Sequence, residues 1–375
     1  MPSATHKQIV LLPWLGLREH DRLRWRGIAV APWEAFAAEL KDEALKAHIA
    51  QIVAMYRSSA ALDWGGAQRG VGIVLLNAPD FQPLTVAQTR LVHELRVALF
   101  LAAMSEGTRS VFGDHSGHSA MTTENFELVF QNFEVGRDRL SLESGVLVRL
   151  TSMGYKLSRT RFARPAYVPS PAPFSIDDGL LTALETRLGR HPRLVRRILR
   201  SAAIFCESYY NTPALEMSAR VMLQASAFEA LLELPESDQR KEFKARISTL
   251  LPSPGRRVSF LSKRRHGKWA RESGSDLVFW ADRFYSLRNG LAHGDRVRAT
   301  EYVFRSAQHH LLIAPQIFLA CIRALLLATR PRKPVRRALA LKVAWKGPKG
   351  KKGKKSKPGF VTDYDWAERF EGLVV

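Results

Sequence analysis

"FYSLRNGLAHGD", residues 284 to 295, sets an arginine, an asparagine and a histidine around two glycines. Its reading decides the fold, because the stretch lies inside a run with the period of a helix. At ~100° per residue over 276–293, Leu277, Trp280, Phe284, Leu287 and Leu291 form one apolar seam. Asp282, Ser286, Asn289 and His293 fall on the opposite face. His293 is therefore not a core histidine, and points to solvent, to a partner subunit or to a ligand. Arg288 and His293 lie ~140° apart on a regular helix, since five residues advance ~500°. They converge if the helix breaks at Gly290 or Gly294, where glycine tolerates the turn, or if two subunits bring two copies face to face. The plainer reading is a helix C-cap, with Gly294 beyond the last turn and the histidine at the negative end of the dipole.

The same period continues on both sides. Helical segments are expected over His191–Asn211, Pro213–Leu234, Arg240–Leu251, Asp276–His293 and Glu301–Thr329, with Pro213 in a first turn. Short connections between such helices argue for an antiparallel bundle over 179–330. In the segment from Pro213, Glu216, Arg220 and Gln224 form one polar stripe. Glu229 lies off it, in "SAFEALLELP", and needs a partner if buried. On the last helix Arg305, His309, Gln316 and Arg323 share one face, and Pro315 predicts a kink. The exception to the helical texture is Pro252 to Gly274, a basic insert with Arg256, Arg257, Lys263, Arg264, Arg265 and Lys268. These are candidate RNA contacts, and Phe260 and Trp269 beside them offer base stacking.

Residues 1–170 read differently. "KQIVLLPWL", "RGIAVAPW" and "VGIVLLN" have strand composition, and 124–163 is strand-like again in "FELVFQNFEV", "DRLSLES" and "GVLVRLTSM". Helical spacing runs from Glu34 to Tyr56, and Thr85 can cap a helix to about Ser105. The expected class is thus an α+β N-terminal domain followed by an all-α bundle. A proline-rich linker joins them at 164–178, with four prolines between Pro165 and Pro173. A basic, low-complexity tail at 331–375 ends in the acidic and aromatic "FVTDYDWAERFEGLVV", which docks on a domain or forms a short helix.

Net charge is +22, and Arg330 to Gly359 holds 13 Lys and Arg without an acid, leaving about +9 elsewhere. Such a balance favours polyanions. The tail is either a solvated appendage or an RNA-binding segment. The two cysteines, Cys206 and Cys321, fit a reducing compartment, and no secretory signal opens the chain. A cytoplasmic protein without a membrane role is expected. Leu311 to Ala328 is apolar, but Gln316 and Arg323 interrupt it, which reads as a core helix.

A bundle carrying Arg288-Asn289-Gly290-Leu291-Ala292-His293, with "SAFEALLELP" some sixty residues upstream, resembles the HEPN superfamily in its Apea-like branch. The resemblance covers about 179–330. It implies a metal-independent endoribonuclease, active as a homodimer, in a toxin or anti-phage defence system with a phage-derived trigger or a partner protein. It maps Arg288 and His293 onto the catalytic pair, Asn289 onto the polar residue after the arginine, and Glu229 onto a recurrent acidic position.

The residues themselves support that chemistry. RNA is cut when its 2′-OH attacks the adjacent phosphorus and expels the 5′ oxygen. Histidine moves protons near neutral pH, and the planar fork of arginine relieves charge on the phosphorane. Asn289, four residues before His293, is placed to orient it. No cofactor or metal is called for. Asp114, His115 and His118 in "GDHSGHSAM" are a weak ligand set, and "GHSAM" lacks the last glycine of a nucleophile elbow. "GGAQRG" lacks the Lys-Ser/Thr of a phosphate loop, and His309 is read as part of a solvent stripe. The alternative function is a non-catalytic RNA-binding or scaffold protein that dimerises through the bundle.

Overall fold

The structure is a computed structural model that describes residues 5–17, 22–60, 70–76, 81–113, 121–136, 139–143, 149–151, 176–210, 215–252, 258–263, 269–304 and 308–328. The described residues fall into two compact units. One draws on 1–103, 119–185 and 209–212, the other on 104–118, 186–208 and 213–375.

The first unit is built on an antiparallel sheet. Its strands are β1 (Thr5–Leu17), β2 (Leu23–Trp25), β3 (Ile28–Pro32), β4 (Gly70–Leu75), β5 (Val129–Gly136), β6 (Arg139–Glu143) and β7 (Arg149–Thr151). Their order is β2-β3-β4-β1-β5-β6-β7. β1 is central, and every residue from Ile9 to Leu17 is buried, which is why "IVLLPWLGL" is nearly all apolar rather than alternating. β4 meets β1 with a register shift between Leu12 and Leu17. A Cβ on Gly72 would stand 3.1 Å from Leu17 and 3.3 Å from Leu12, so the shift needs a residue without one. Two helices, α1 (Trp33–Ala37) and α2 (Glu43–Ala60), share a core with the sheet through Trp14, Phe36, Ile49, Ile52 and Ile73. The helical period from Glu34 to Tyr56 is thus split into two helices. α3 (Val86–Gly113) begins where Thr85 and Gln88 cap each other reciprocally.

The second unit is mainly helical. After α4 (Asp178–Arg190), whose first residues belong to the sheet unit, come α5 (Pro192–Glu207), α6 (Met217–Leu232), α7 (Gln239–Leu250), α8 (Asp276–Ala292) and α9 (His310–Ala328). Phe228 of α6 is the hub. Phe205 of α5, Phe243 of α7, Trp280 and Phe284 of α8 and Phe318 of α9 all hold their rings 5.3–6.3 Å from it. Four helices thus close on one aromatic side chain of a fifth, each ring contributing large buried area. Cys206 and Cys321 are both buried, and neither is part of a disulfide.

Several expectations need correction. The basic insert is a β-hairpin, β8 (Val258–Lys263) paired with β9 (Trp269–Gly274). Its alternation is masked by the charges, and pairing with a partner strand, not local period, made it extended. The segment from Glu301 is not one helix. A turn of 3₁₀ helix, then β10 (Val303–Phe304) and β11 (Gln308–His309), precede α9. The polar face assigned to that helix is largely interior. Gln316 and Arg323 are buried, and Arg323 donates to the Ser105 hydroxyl at 2.5 Å. Gln224, on the expected polar stripe of α6, is buried and donates to Ser208. For Arg323 and Gln224 a polar partner outside their own helix makes burial possible, while Gln316 donates to Leu312 O of its own helix at 3.0 Å. Among the described residues, His310–Leu327 is the one helix long and apolar enough to cross a membrane, and 72% of it is buried inside the protein.

The linker prolines, Asp114, His115, His118, Arg305, Arg256, Arg257, Arg264, Arg265, Lys268 and the tail 331–375 lie outside the described residues. Lys263 is the last residue of β8.

Candidate functional site at the end of α8

α8 starts at Ser275, whose hydroxyl accepts from the Val278 N–H, and its apolar seam docks on the Phe228 hub. Packing fixes the rotation of the helix, and so the direction of every other side chain on it. Tyr285 and Arg288, one turn apart, face Glu229 of α6.

Three groups form a closed set. The Tyr285 hydroxyl donates to Glu229 Oε1 at 2.7 Å and lies 2.9 Å from Gln239 Oε1. Arg288 Nη2 pairs with the same Glu229 oxygen at 2.9 Å. The guanidinium carbon of Arg288 stands 5.5 Å from the centre of the Tyr285 ring, a cation–π placement. Burial, then the hydrogen bond and charge of Glu229, push the Tyr285 phenol well above its ordinary range, against the opposing charge of Arg288. Tyr285 therefore acts as a fixed donor. Arg288 and Glu229 are both about one-fifth exposed. Arg288 Nη1 reaches Asn289 Oδ1 at 3.4 Å, while its buried Nε has no hydrogen-bond partner. A guanidinium carries five N–H donors, so Arg288 is oriented without being saturated.

His293 stands at the other end of the stretch. α8 ends at Ala292, and His293 is its C-cap with an exposed side chain. Gly294 follows at φ +73°, the left-handed conformation that favours glycine. The Gly294 N–H donates to Leu291 O and the Asp295 N–H to Gly290 O, the paired bonds of a Schellman motif. Asn289 holds His293 through its backbone carbonyl, which accepts from the His293 N–H at 3.0 Å. Its side-chain amide is engaged by Arg288 instead.

Arg288, Asn289 and His293 line one groove of about 2510 Å³ that runs along α8 and on to α7 and the two hairpins. The groove is broad and mixed in charge, with Arg240, Lys241 and Arg296 set against Glu236, Asp238 and Asp295. Glu229 stands behind Arg288 and is not part of the lining.

A second ionic cluster lies deeper. Asp282 is fully buried, although its helical position is opposite the apolar seam. Arg240 donates Nε and Nη2 to its two oxygens at 3.0 and 2.7 Å, Lys244 approaches at 3.0 Å, and the Ser262 hydroxyl donates at 2.9 Å. Lys244 also pairs with Glu272 of β9 at 2.6 Å. The cluster ties α7, α8 and the β8–β9 hairpin together. Burial raises the Asp282 carboxyl, but the hydrogen bonds and charges of Arg240 and Lys244 outweigh it and hold the group below its ordinary value. Sequence reading missed this cluster, as it missed Tyr285, Gln239 and His310. The available signal was an acid between Trp280 and Phe284, which demands a partner if its face is covered, together with Arg240 and Lys244 four apart on one helix.

Among the described residues no three His, Cys, Asp or Glu side chains are grouped as a metal site would require. Comparison with protein-family models, with curated proteins and with solved structures finds no match.

Proposed function

We propose that the helical unit is a HEPN-type, metal-independent endoribonuclease, acting in the cytoplasm as part of a bacterial defence or toxin system. The observation that carries the reading is that Arg288 and His293 open on one groove, with Arg288 aimed by Glu229 and Tyr285. RNA lying in that groove meets unsaturated guanidinium donors, which relieve charge as the 2′-OH adds to phosphorus. His293, exposed at the helix end, takes the 2′-OH proton or returns one to the departing 5′ oxygen. Glu229 and Tyr285 position Arg288 and touch no reacting atom. The basic residues of the hairpin and the tail concentrate the polyanion. Two protomers that juxtapose their α8 ends would bring each Arg288 to a second His293, across the ~140° that separates them on one regular helix.

The second reading is a non-catalytic RNA-binding or scaffold protein. The Schellman cap and the Glu229–Arg288 pair favour it, because both account for the motif as local structure. One experiment separates the two. Purified protein is incubated with total RNA in excess chelator, alongside His293→Ala and Arg288→Lys. The nuclease reading expects fragments ending in 2′,3′-cyclic phosphate or its hydrolysis product, with a loss of about 10²–10⁴ in rate for His293→Ala. Arg288→Lys keeps the charge but not the fork, and is expected to be severely impaired. Loss of cleavage on chelation, or His293→Ala cutting at the wild-type rate, sinks it. Light scattering tests the dimer, and a strict monomer that cleaves removes the two-protomer site.

A further inference from the structure

The groove that holds Arg288 and His293 continues toward the start of α8, and a patch of different chemistry lies there. Phe279, Arg283, Ser286, Gly290 and His293 all line the groove. Their spacings of four, three, four and three place them on one helical strip. At its N-terminal end Phe260 stacks on Phe279 with ring centres 4.8 Å apart, and Phe304 meets Phe279 at 5.3 Å. The Arg283 guanidinium carbon lies over the Phe279 ring, 5.3 Å from its centre. Arg283 has no carboxylate partner among the described residues.

His310 closes this end. It lines the groove, is 1% exposed, and its Nδ1 has no hydrogen-bond partner. The rings of Trp280, Phe284 and Phe304 stand 5.8–6.3 Å from it. Burial, then the charges of His309 and Arg283, pull its imidazole down to about 3. The ring is therefore neutral near pH 7, with one nitrogen a donor and the other an acceptor.

None of these groups takes part in the chemistry assigned to Arg288 and His293. A bare phosphate would use the guanidinium but has no need of an aromatic wall or a neutral imidazole. An unstacked base uses all three, since bases stack on aromatic rings and on guanidinium planes and carry polar edges. We infer that Phe279, Arg283, Phe304 and His310 form a nucleobase subsite of this groove, seating one unstacked base of single-stranded RNA on the Arg283–Phe279 pair with the His310 imidazole at its edge. The assignment of RNA as the ligand rests on the ribonuclease reading. Arg283 and His293 are ten residues apart, about 15 Å along the helix, so the seated base belongs to a nucleotide away from the scissile bond. The subsite sets affinity and base preference and leaves the chemical step alone.

The test uses the full-length protein and a single-stranded 2′-O-methyl oligonucleotide, which lacks the attacking hydroxyl and cannot be cut. Its binding is compared with that of the same backbone carrying abasic positions, by fluorescence anisotropy. Phe279→Leu removes the ring, and Arg283→Lys keeps the charge but removes the plane. Each is expected to weaken the base-bearing strand about tenfold and to leave the abasic strand unchanged. Equal losses on both strands, no loss on either, or wild-type binding of a duplex as tight as of the single strand overturns the subsite. If Phe279→Leu does not fold, Arg283→Lys decides alone. A wild-type protein that binds with this pattern yet never cuts 2′-hydroxyl RNA refutes the nuclease reading and leaves the subsite standing. Cleavage with no base-dependent binding does the reverse.

Discussion

Asp282 and Glu229 both meet arginine in the helical unit, and they do so in opposite ways. Asp282 is dry and saturated, with both oxygens engaged by Arg240 and further donors from Lys244 and Ser262. Glu229 is partly wet, and Tyr285 and Arg288 share one of its two oxygens, Oε1. A buried charge pair is stable only when its members stay together, because separating them strands a charge in low dielectric. A pair about one-fifth exposed can exchange a partner for water or an anion at lower cost than a fully buried one. The first cluster is therefore a strut joining α7, α8 and the hairpin. On the nuclease reading, the second can hand Arg288 to a phosphate while still aiming it.

The sharpest test of this contrast is the same isosteric change at each acid. Asp282→Asn removes the charge that Arg240 and Lys244 compensate, and should cost about 3–5 kcal/mol in chemical denaturation at pH 7. The sign with pH follows from the lowered carboxyl. Its contribution is fully present above the unfolded value near 3.9 and is lost as pH falls through the lower folded value. The gap between wild type and Asp282→Asn should hence close below about pH 4. A cost below ~1 kcal/mol would mean that the cluster is not a strut.

His310 extends the comparison to a buried group with no ionic partner. Its folded value of about 3 lies below the unfolded value, so only the unfolded chain takes up a proton between about pH 6.5 and that folded value. Native stability should fall there by up to about 1.4 kcal/mol per pH unit as pH drops. His310→Gln should flatten that slope by one proton between pH 6 and 4, a window above the Asp282 transition. An unchanged slope would place the ring in contact with water.

Glu229→Gln should change stability by only about 0–1 kcal/mol, since the pair is partly exposed. Under the nuclease reading it should lower RNA cleavage, with rescue by Glu229→Asp weaker than wild type but measurable. A stability loss as large as that of Asp282→Asn would erase the distinction between the two acids.

The smallest effect concerns Gly290. A Cβ there meets Val297 and Asp295 at 3.6–3.7 Å, ordinary contact distances. Gly290→Ala should raise stability by about 0.5–1 kcal/mol, the helix-interior difference between the two residues. Lost cleavage in a stabilised variant would show that the groove needs the missing side chain for close approach of its ligand.

Much of this was legible in the sequence. The period of Leu277, Trp280, Phe284 and Leu287 predicts α8 to within a residue of its observed Asp276–Ala292, and the apolar run of β1 is plain in "IVLLPWLGL". The exposure of His293 follows from the same period, and its cap from Gly294. These are local properties, set by 3.6 residues per turn and by the conformational freedom of glycine. Only the tertiary structure decided the rest. Asp282 looks like a solvent-facing acid until Arg240, 42 residues away, arrives to meet it. Tyr285 belongs to neither the apolar seam nor the polar face until Glu229, 56 residues away, claims its hydroxyl. The hairpin β8–β9 and the break before α9 depend on strands that pair with each other rather than on any period within them. Periodicity tells which face a residue occupies, but what covers that face is set by chain brought from far away, and the covering decides whether a charge is a strut or a reagent.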